Sequence, residues 1–163
     1  MIVIERASEQ DTAIIEDILS DTVAWRNNTD KPMWTAEQIT WKRLSSDYCV
    51  SDFYIAYINR VPAGCVALTD YADYWADIPK GESLFIHKLA VKRFAAAKGV
   101  SDALILYAKS MCLDKGLSTL RLGCPQDRPK LRAVYERNSF VFVMERVTYG
   151  KYPTAFCRCD IHE

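Results

Sequence analysis

The stretch from Ser83 to Lys115 limits the possible folds of this chain more than any other. A mixed apolar and basic run, Ser83 to Val91, reads as a strand and ends in the small-residue loop Ala95-Ala96-Ala97-Lys98-Gly99. A long helix starts at once. From Gly99 to Lys115 the residues Val100, Ala103, Leu104, Tyr107, Ala108, Met111 and Cys112 fall on one face at helical spacing. Lys115 suits the last turn, and Gly116 suits the left-handed exit from it. A strand running straight into an amphipathic helix demands a layered α/β arrangement, because the helix must bury its stripe against a sheet.

The rest of the chain fills in that arrangement. Ile2 to Arg6 reads as a strand, and Ser8 and Asp11 can start a helix that carries Ile14, Ile15, Ile18 and Leu19. Residues 27–32 read as a loop, and a second helix is expected from Thr35 to about Ser45. Phe53 to Ile58 is a strand, with a turn over Asn59 to Gly64 and an antiparallel return from Cys65 to Thr69. A polar and aromatic loop, Asp70 to Glu82, precedes the Ser83 strand. Thr119 to Cys124 follows as a strand and Pro129 to Asn138 as a short helix with proline in its first turn. Phe140 to Tyr149 and Ala155 to Ile161 close the chain as strands about a turn at Gly150 to Pro153. The order β-α-α-β-β-β-α-β-α-β-β predicts one mixed α/β domain over residues 1–163, with no linker, repeat or low-complexity tract to divide it.

Composition excludes several functions. Lys and Arg number 21, as do Asp and Glu, which argues against a non-specific nucleic-acid binder. Half the residues are apolar, which argues against disorder, and no apolar run reaches the ~18–20 residues of a membrane span. The N-terminus lacks the pattern of a signal peptide. Six cysteines (49, 65, 112, 124, 157 and 159) are scattered without a Cys-x-x-Cys pair, and only two histidines accompany them. That spacing suits reduced thiols rather than zinc or a disulfide framework, so a soluble cytoplasmic protein without a metal site is expected.

The start of the long helix is where chemistry is expected. Its first amide hydrogens lack intrahelical acceptors and carry the positive end of the helix dipole. Ala95, Ala96, Ala97 and Gly99 let a ligand approach the backbone, and Lys92, Arg93 and Lys98 add positive charge. This is an anion cradle suited to a pyrophosphate, although the same sequence also suits a plain connection. Neither Gly-x-x-x-x-Gly-Lys nor Gly-x-Gly-x-x-Gly occurs, which weighs against a nucleotide site of those kinds.

The segment resembles the acetyl-CoA signature of the GNAT superfamily of acyl-CoA-dependent N-acyltransferases. There a strand ending Leu-x-Val leads into a loop Arg/Gln-x-x-Gly-x-Gly/Ala and a long helix. Leu89-Ala90-Val91 matches the strand end, and Ala96 to Ser101 aligns with the loop. Leu120 to Cys124 resembles the family's fifth strand, and Asp127 to Phe140 its Asn-x-x-Ala-x-x-Leu-Tyr-Glu-x-x-Gly-Phe helix. The element order agrees from Ile2 to Ile161. Five positions depart from the pattern: Ala96 for Arg or Gln, Ala97 for Gly, Ser101 for Gly or Ala, Arg128 for Asn, and Ser139 for Gly. A missing charged hydrogen bond costs about 1.5–3 kcal/mol, so weaker cofactor binding is one consequence unless Lys98, Arg93 or Arg128 compensates.

The resemblance implies a central, mostly antiparallel sheet of six or seven strands, flanked by about four helices and splayed between its fourth and fifth strands. It implies acetyl-CoA as acyl donor. Leu89, Ala90 and Val91 would pair with pantetheine through their backbone. Ala96, Ala97, Lys98, Gly99, Val100 and Ser101, with Asp102 behind them, would hold the pyrophosphate, and Arg128, Leu131 and Arg132 would flank the rest. It implies Tyr135 as the acid for the thiolate, where spacing alone allows a core aromatic. It implies His87, or secondarily Glu82, as the base for the acceptor amine; period two puts His87 on one strand face with Leu89 and Val91. Trp34, Trp41, Tyr71, Tyr74 and Trp75, with Asp70, Asp73 and Asp77, fall in segments that cover the acceptor in this family and would suit a cationic amine. Each has an ordinary packing or solvated role as its alternative.

The resulting expectation is transfer of acetyl from acetyl-CoA to a primary amine of a small molecule or peptide, by direct attack in a ternary complex. The alternative is an acyl-CoA-binding module without turnover. A homodimer through the C-terminal strands is common in the family, but the sequence itself carries no signal of oligomeric state. No nucleic acid or membrane partner is expected.

Overall fold

A computed structural model describes residues 1–26 and 34–161; the loop expected at 27–32 lies outside them. The elements are β1 (Ile2–Arg6), α1 (Thr12–Arg26), α2 (Trp41–Leu44), β2 (Phe53–Ile58), β3 (Val61–Thr69), β4 (Leu84–Val91), α3 (Val100–Asp114), β5 (Thr119–Pro125), α4 (Pro129–Arg137), β6 (Val141–Thr148) and β7 (Tyr152–Asp160). Seven strands join in the order β1-β2-β3-β4-β5-β7-β6. The pairs β1–β2, β2–β3, β5–β7 and β6–β7 are antiparallel. β4 runs parallel to β5, paired at Leu84↔Leu120 and Phe85↔Arg121 before the two strands splay. This is the mixed α/β sheet that the sequence led us to expect. The chain divides into two compact units, Met1–Ala67 with Lys88–Leu104, and Leu68–His87 with Ile105–Glu163.

In the first unit Ile15, Ile18 and Leu19 of α1 pack with Phe53 and Ile55 of β2 and Cys65 and Ala67 of β3. Full burial of each such aliphatic side chain contributes about 1.5–3 kcal/mol, which secures α1 to the sheet. The Ser8 amide donates to Asp11 Oδ2 at 2.8 Å, so the start of this helical segment is capped as its sequence suggests. Two expected boundaries move. Asn59 and Arg60 both take positive φ, 49° and 69°, forming a tight two-residue turn, so β3 begins at Val61 rather than Cys65. The expected helix from Thr35 to Ser45 is helical only over Trp41–Leu44, with Thr40 as its cap. Gly64 is required by packing: a Cβ there would lie 2.7 Å from the Ala90 oxygen and 2.8 Å from Val100 Cγ1.

The second unit is built on aromatic residues. Trp75, Phe85 and Phe156 are buried together, with the Trp75 and Phe156 ring centroids 4.9 Å apart. Trp75 was an expected acceptor-pocket residue; at 1% exposure it is core instead. Both later helices end in left-handed residues. Gly116 (φ 72°) closes α3, with the Leu117 amide donating to the Cys112 oxygen at 2.9 Å. Ser139 (φ 71°) closes α4, with the Phe140 amide donating to the Tyr135 oxygen at 3.0 Å. This second stop fixes where Tyr135 sits, one turn before the helix end. All six cysteines are free thiols, and only Cys49 is exposed.

Candidate active site

In the first unit, β4 leads through a short turn at Arg93–Ala95 into α3. The Ala95, Ala96 and Lys98 amides donate within that turn to the oxygens of Lys92, Arg93 and Ala95. The first bond of the helix runs from the Ala103 amide to the Gly99 oxygen at 3.0 Å. Among the described residues, the amides of Ala97, Gly99, Val100 and Ser101 donate to no carbonyl. Ala97 (φ 62°) and Gly99 (φ 82°) are both left-handed, and alternation of that kind turns successive N–H groups toward one concavity. No atom lies within 4 Å of where a Gly99 Cβ would stand, so the space beside it is open. The result is a cradle of bare amides at a helix start, the kind of backbone arrangement that can accept an anion.

One of the three positive charges expected around this cradle is met by a salt bridge. Lys92 is bound to Asp17, Nζ to Oδ2, at 2.6 Å. Arg93 is tethered by its amide to Asp21 Oδ2 at 2.7 Å. The Lys98 ammonium lies 5.8 Å from the Phe94 ring centre. Asp102 sits in the first turn of α3.

β4 is irregular where its chemistry is expected. Lys88 has φ 52°, a left-handed residue inside a strand, and its carbonyl accepts from Cys65 Sγ at 3.6 Å. The two-residue alternation stops there. The face that period two assigns jointly to His87, Leu89 and Val91 therefore does not carry through Lys88, which corrects the sequence reading. Beyond it Leu89 and Val91 are half-buried and Ala90 is buried. Burial lowers the Lys88 ammonium below its ordinary pKa, against a smaller opposing effect of Asp47, and its Nζ lies 5.0 Å from the Trp34 ring centre. Trp41, another acceptor-pocket candidate, packs edge-on against Phe53 at 5.9 Å.

In the second unit His87 is half-buried, with Nε2 2.8 Å from Thr69 Oγ1. The Thr69 hydroxyl donates its one proton to the Tyr71 oxygen at 2.8 Å. It must therefore accept from His87, which puts the ring proton on Nε2 and the basic lone pair of the neutral imidazole on Nδ1. The Tyr74 ring stands edge-on to His87 at 6.1 Å. Thr69 was not among the expected site residues. It lies 18 positions before His87, and no spacing rule ties the two together.

Tyr135 is buried at 6% exposure, its ring edge-on to Phe140 at 5.6 Å. Burial raises its phenol above the usual range, and the neighbouring Cys124 and Cys157 add to the effect. The group is thus protonated at every ordinary pH. Arg128, at the start of α4, has a buried Nε without a hydrogen-bond partner among the described residues. Leu131 and Arg132 occupy the next turn, half-buried; Arg132 lies 5.1 Å from the Phe142 ring centre and 3.8 Å from Glu136.

Glu82 is exposed in the turn before β4, its amide donating to the Pro79 oxygen at 3.4 Å. His87 is the fourth residue of β4 and Glu82 lies before the strand begins, so the two candidate bases belong to different elements. The acidic loop is largely engaged. Asp70 pairs with Lys80 at 2.5 Å, Asp77 with Arg146 at 3.3 Å, and Asp73 accepts from the Tyr149 hydroxyl at 2.6 Å. Among the described residues no group of three or more His, Cys, Asp or Glu is placed to hold a metal ion, and no helix is long and apolar enough to cross a membrane.

Comparison with solved structures identifies the fold. The PaiA N-acetyltransferase of Thermoplasma acidophilum, solved with coenzyme A, superposes with a TM-score of 0.76 at 16% identity, covering 98% of this chain and 99% of that one. Ard1 of Thermoplasma volcanium gives 0.74 at 16% identity, covering 99% of both chains. The yncA protein of Salmonella typhimurium, solved with its cofactor acetyl-CoA, gives 0.68 at 16% identity over 100% of this chain and 95% of that one. No curated protein sequence matches the chain. The family model described as "Acetyltransferase (GNAT) family" matches residues 13–140, the span that contains β4, the amide cradle and α4. The chain belongs to the acetyltransferase (GNAT) family.

Proposed function

We propose that the protein is an N-acetyltransferase that moves the acetyl group of acetyl-CoA onto a primary amine of a small molecule or peptide, by direct attack. The observation that carries this reading is the set of bare amides at Ala97, Gly99, Val100 and Ser101 beside open space. It fits a diphosphate; Arg128, whose Nε lacks a hydrogen-bond partner among the described residues, is the family-motif candidate for another part of the cofactor. Lys98 adds charge, Ala96 and Asp102 shape the cradle, and Leu131 and Arg132 line the start of α4. The backbone of Leu89, Ala90 and Val91, in the strand that has splayed from β5, offers pairing to an amide-bearing arm as one strand does to another. Acetyl-CoA, when bound, supplies an activated acyl thioester.

His87 takes the proton of the acceptor amine on Nδ1, directly or through water, held in the right tautomer by Thr69. Glu82 is the second candidate, less well supported because it stands at the far end of β4. An amide of β4 near Leu89 or Val91 polarises the carbonyl that is attacked. Tyr135 donates its proton to the departing sulfur. Its raised pKa keeps that proton in place beforehand and requires prompt return of a proton afterwards.

The same reading takes residues 1–163 as one acyltransferase domain acting in the cytoplasm, where six free thiols are at home. A homodimer through β6 is part of it, because that edge strand exposes Val141, Phe142 and Val147. The reading without turnover is favoured only by the Ala96, Ala97 and Ser101 replacements. Calorimetry with acetyl-CoA and a free-thiol assay over a panel of amines separate the two. Saturable binding with amine-dependent thiol release supports an enzyme, and binding without release supports the silent module. Absence of binding at millimolar acetyl-CoA sinks both.

A further inference from the structure

Lys88 carries a primary amine that the reaction as described does not use. The residue is half-buried in β4, and its Nζ lies 5.0 Å from the Trp34 ring centre. An ammonium over an indole face is held by the electron-rich face of the ring. Trp34 is one of the aromatic residues expected to receive the cation of an acceptor amine. The cation found on it belongs to the chain itself. Asp47, whose charge reaches Lys88, is paired with Arg43, Nη1 to Oδ2 at 2.9 Å. Burial outweighs the opposing pull of Asp47 and lowers the pKa of the ammonium. More of this amine is therefore neutral than in an ordinary exposed lysine, and the neutral form is the nucleophile.

Its place in β4 sets that nucleophile beside the proposed acyl site. Lys88 is left-handed, with φ 52°, and its carbonyl accepts from Cys65 Sγ at 3.6 Å, so the regular alternation of the strand breaks at this residue. The very next amide is that of Leu89, one of those proposed to polarise the thioester carbonyl. A lysine arm spans about 6 Å from Cα to Nζ, which brings a carbonyl bound at the neighbouring amide within its sweep. Trp34, Arg43, Asp47, Cys65, Lys88 and Leu89 all belong to the first unit.

Resting on the acetyltransferase reading, we propose that Lys88 is a self-acetylation site, its Nζ taking the acetyl group of acetyl-CoA bound to the same chain. The nitrogen lone pair attacks the thioester carbonyl, a C–N bond forms and the C–S bond breaks. One proton leaves the nitrogen and ends on the departing sulfur, so free coenzyme A thiol and an amide are the products and no further reactant is consumed. Acetylation removes the charge, and with it the attraction that seats this side chain on Trp34.

The test incubates the native protein with acetyl-CoA and no added amine, follows thiol release, and locates acetylated lysines by peptide mapping with mass spectrometry. The expected result is release that stops at a single acetyl group per chain, carried on Lys88. Its first-order rate constant stays the same over an about tenfold range of protein concentration, as transfer within one chain requires. Lys88→Arg keeps a cation for Trp34 and binds acetyl-CoA as the native chain does, and its amine-independent thiol release falls by about tenfold or more. Acetyl groups spread over exposed lysines with Lys88 unmodified, or a rate constant that rises with protein concentration, overturns the proposal. A native chain that turns over added amines without acetylating Lys88 overturns the proposal alone. Absence of thiol release both with and without added amines overturns the acetyltransferase reading as well.

Discussion

Thr69 gives His87 a defined chemical state. Its single hydroxyl proton goes to the Tyr71 oxygen, so it accepts from Nε2 and leaves Nδ1 basic. Replacing Thr69 with Val removes the acceptor without removing the proposed base, and kcat should fall about tenfold, the effect of losing one hydrogen bond worth ~1.4 kcal/mol. Affinity for acetyl-CoA should stay as it is; an unchanged kcat would separate Thr69 from catalysis. Tyr135→Phe should lower kcat about a hundredfold or more, with acetyl-CoA affinity nearly intact. The raised phenol also has a consequence for stability. Above pH 10, its ordinary value, the unfolded chain releases this proton while the folded chain keeps it. The unfolded state then binds fewer protons and stability falls as pH rises. Urea unfolding at increasing alkalinity should show that decline, and Tyr135→Phe should flatten it. The acid role proposed for Tyr135 rests on the family motif, since its burial against Phe140 is what any core tyrosine shows.

Two of the departures from the family pattern fall at bends. Ala97 and Ser139 stand where glycine is usual, and both keep the positive φ that glycine provides, 62° and 71°. A side chain in that conformation costs about 1–2 kcal/mol, so the loop and the α4 stop retain their shapes at some expense of stability. Ser139→Gly should raise stability by about 1 kcal/mol after allowing for glycine's greater freedom when unfolded, a Tm increase of ~2–4 °C by calorimetry. Gly64→Ala should act the other way, by about 1–3 kcal/mol, because its methyl meets the Ala90 oxygen and Val100. Strands and long helices were readable to within a few residues because their hydrophobic periods are regular. The turn at Asn59-Arg60 was not, since Pro62 and Gly64 look like turn residues although both lie inside β3. The left-handed Lys88 was equally hidden, because nothing in Ile86-His87-Lys88-Leu89 distinguishes an irregular strand from a regular one.

Across the whole molecule the charges are local rather than global. With 21 basic and 21 acidic residues the chain has no net field to steer an anion such as coenzyme A, so affinity must come from directed groups. The acidic loop shows why sequence could not resolve this distribution. Asp73 and Asp77 find partners in Tyr149 and Arg146, 76 and 69 positions away. Legible from sequence were the order of elements, the cradle before α3 and the family. The partners of the acidic loop were not, because they come from distant segments of the chain.

The most direct measurement is titration calorimetry of acetyl-CoA into the native protein and into Gly99→Val, with folding of both checked by circular dichroism. Saturable one-site binding by the native chain, weakened at least tenfold in the variant whose side chain occupies the open space beside the bare amides, is the expected result. Equal affinity of the two proteins, or no heat from the native chain at millimolar ligand, would contradict the assignment of this helix start as the diphosphate site.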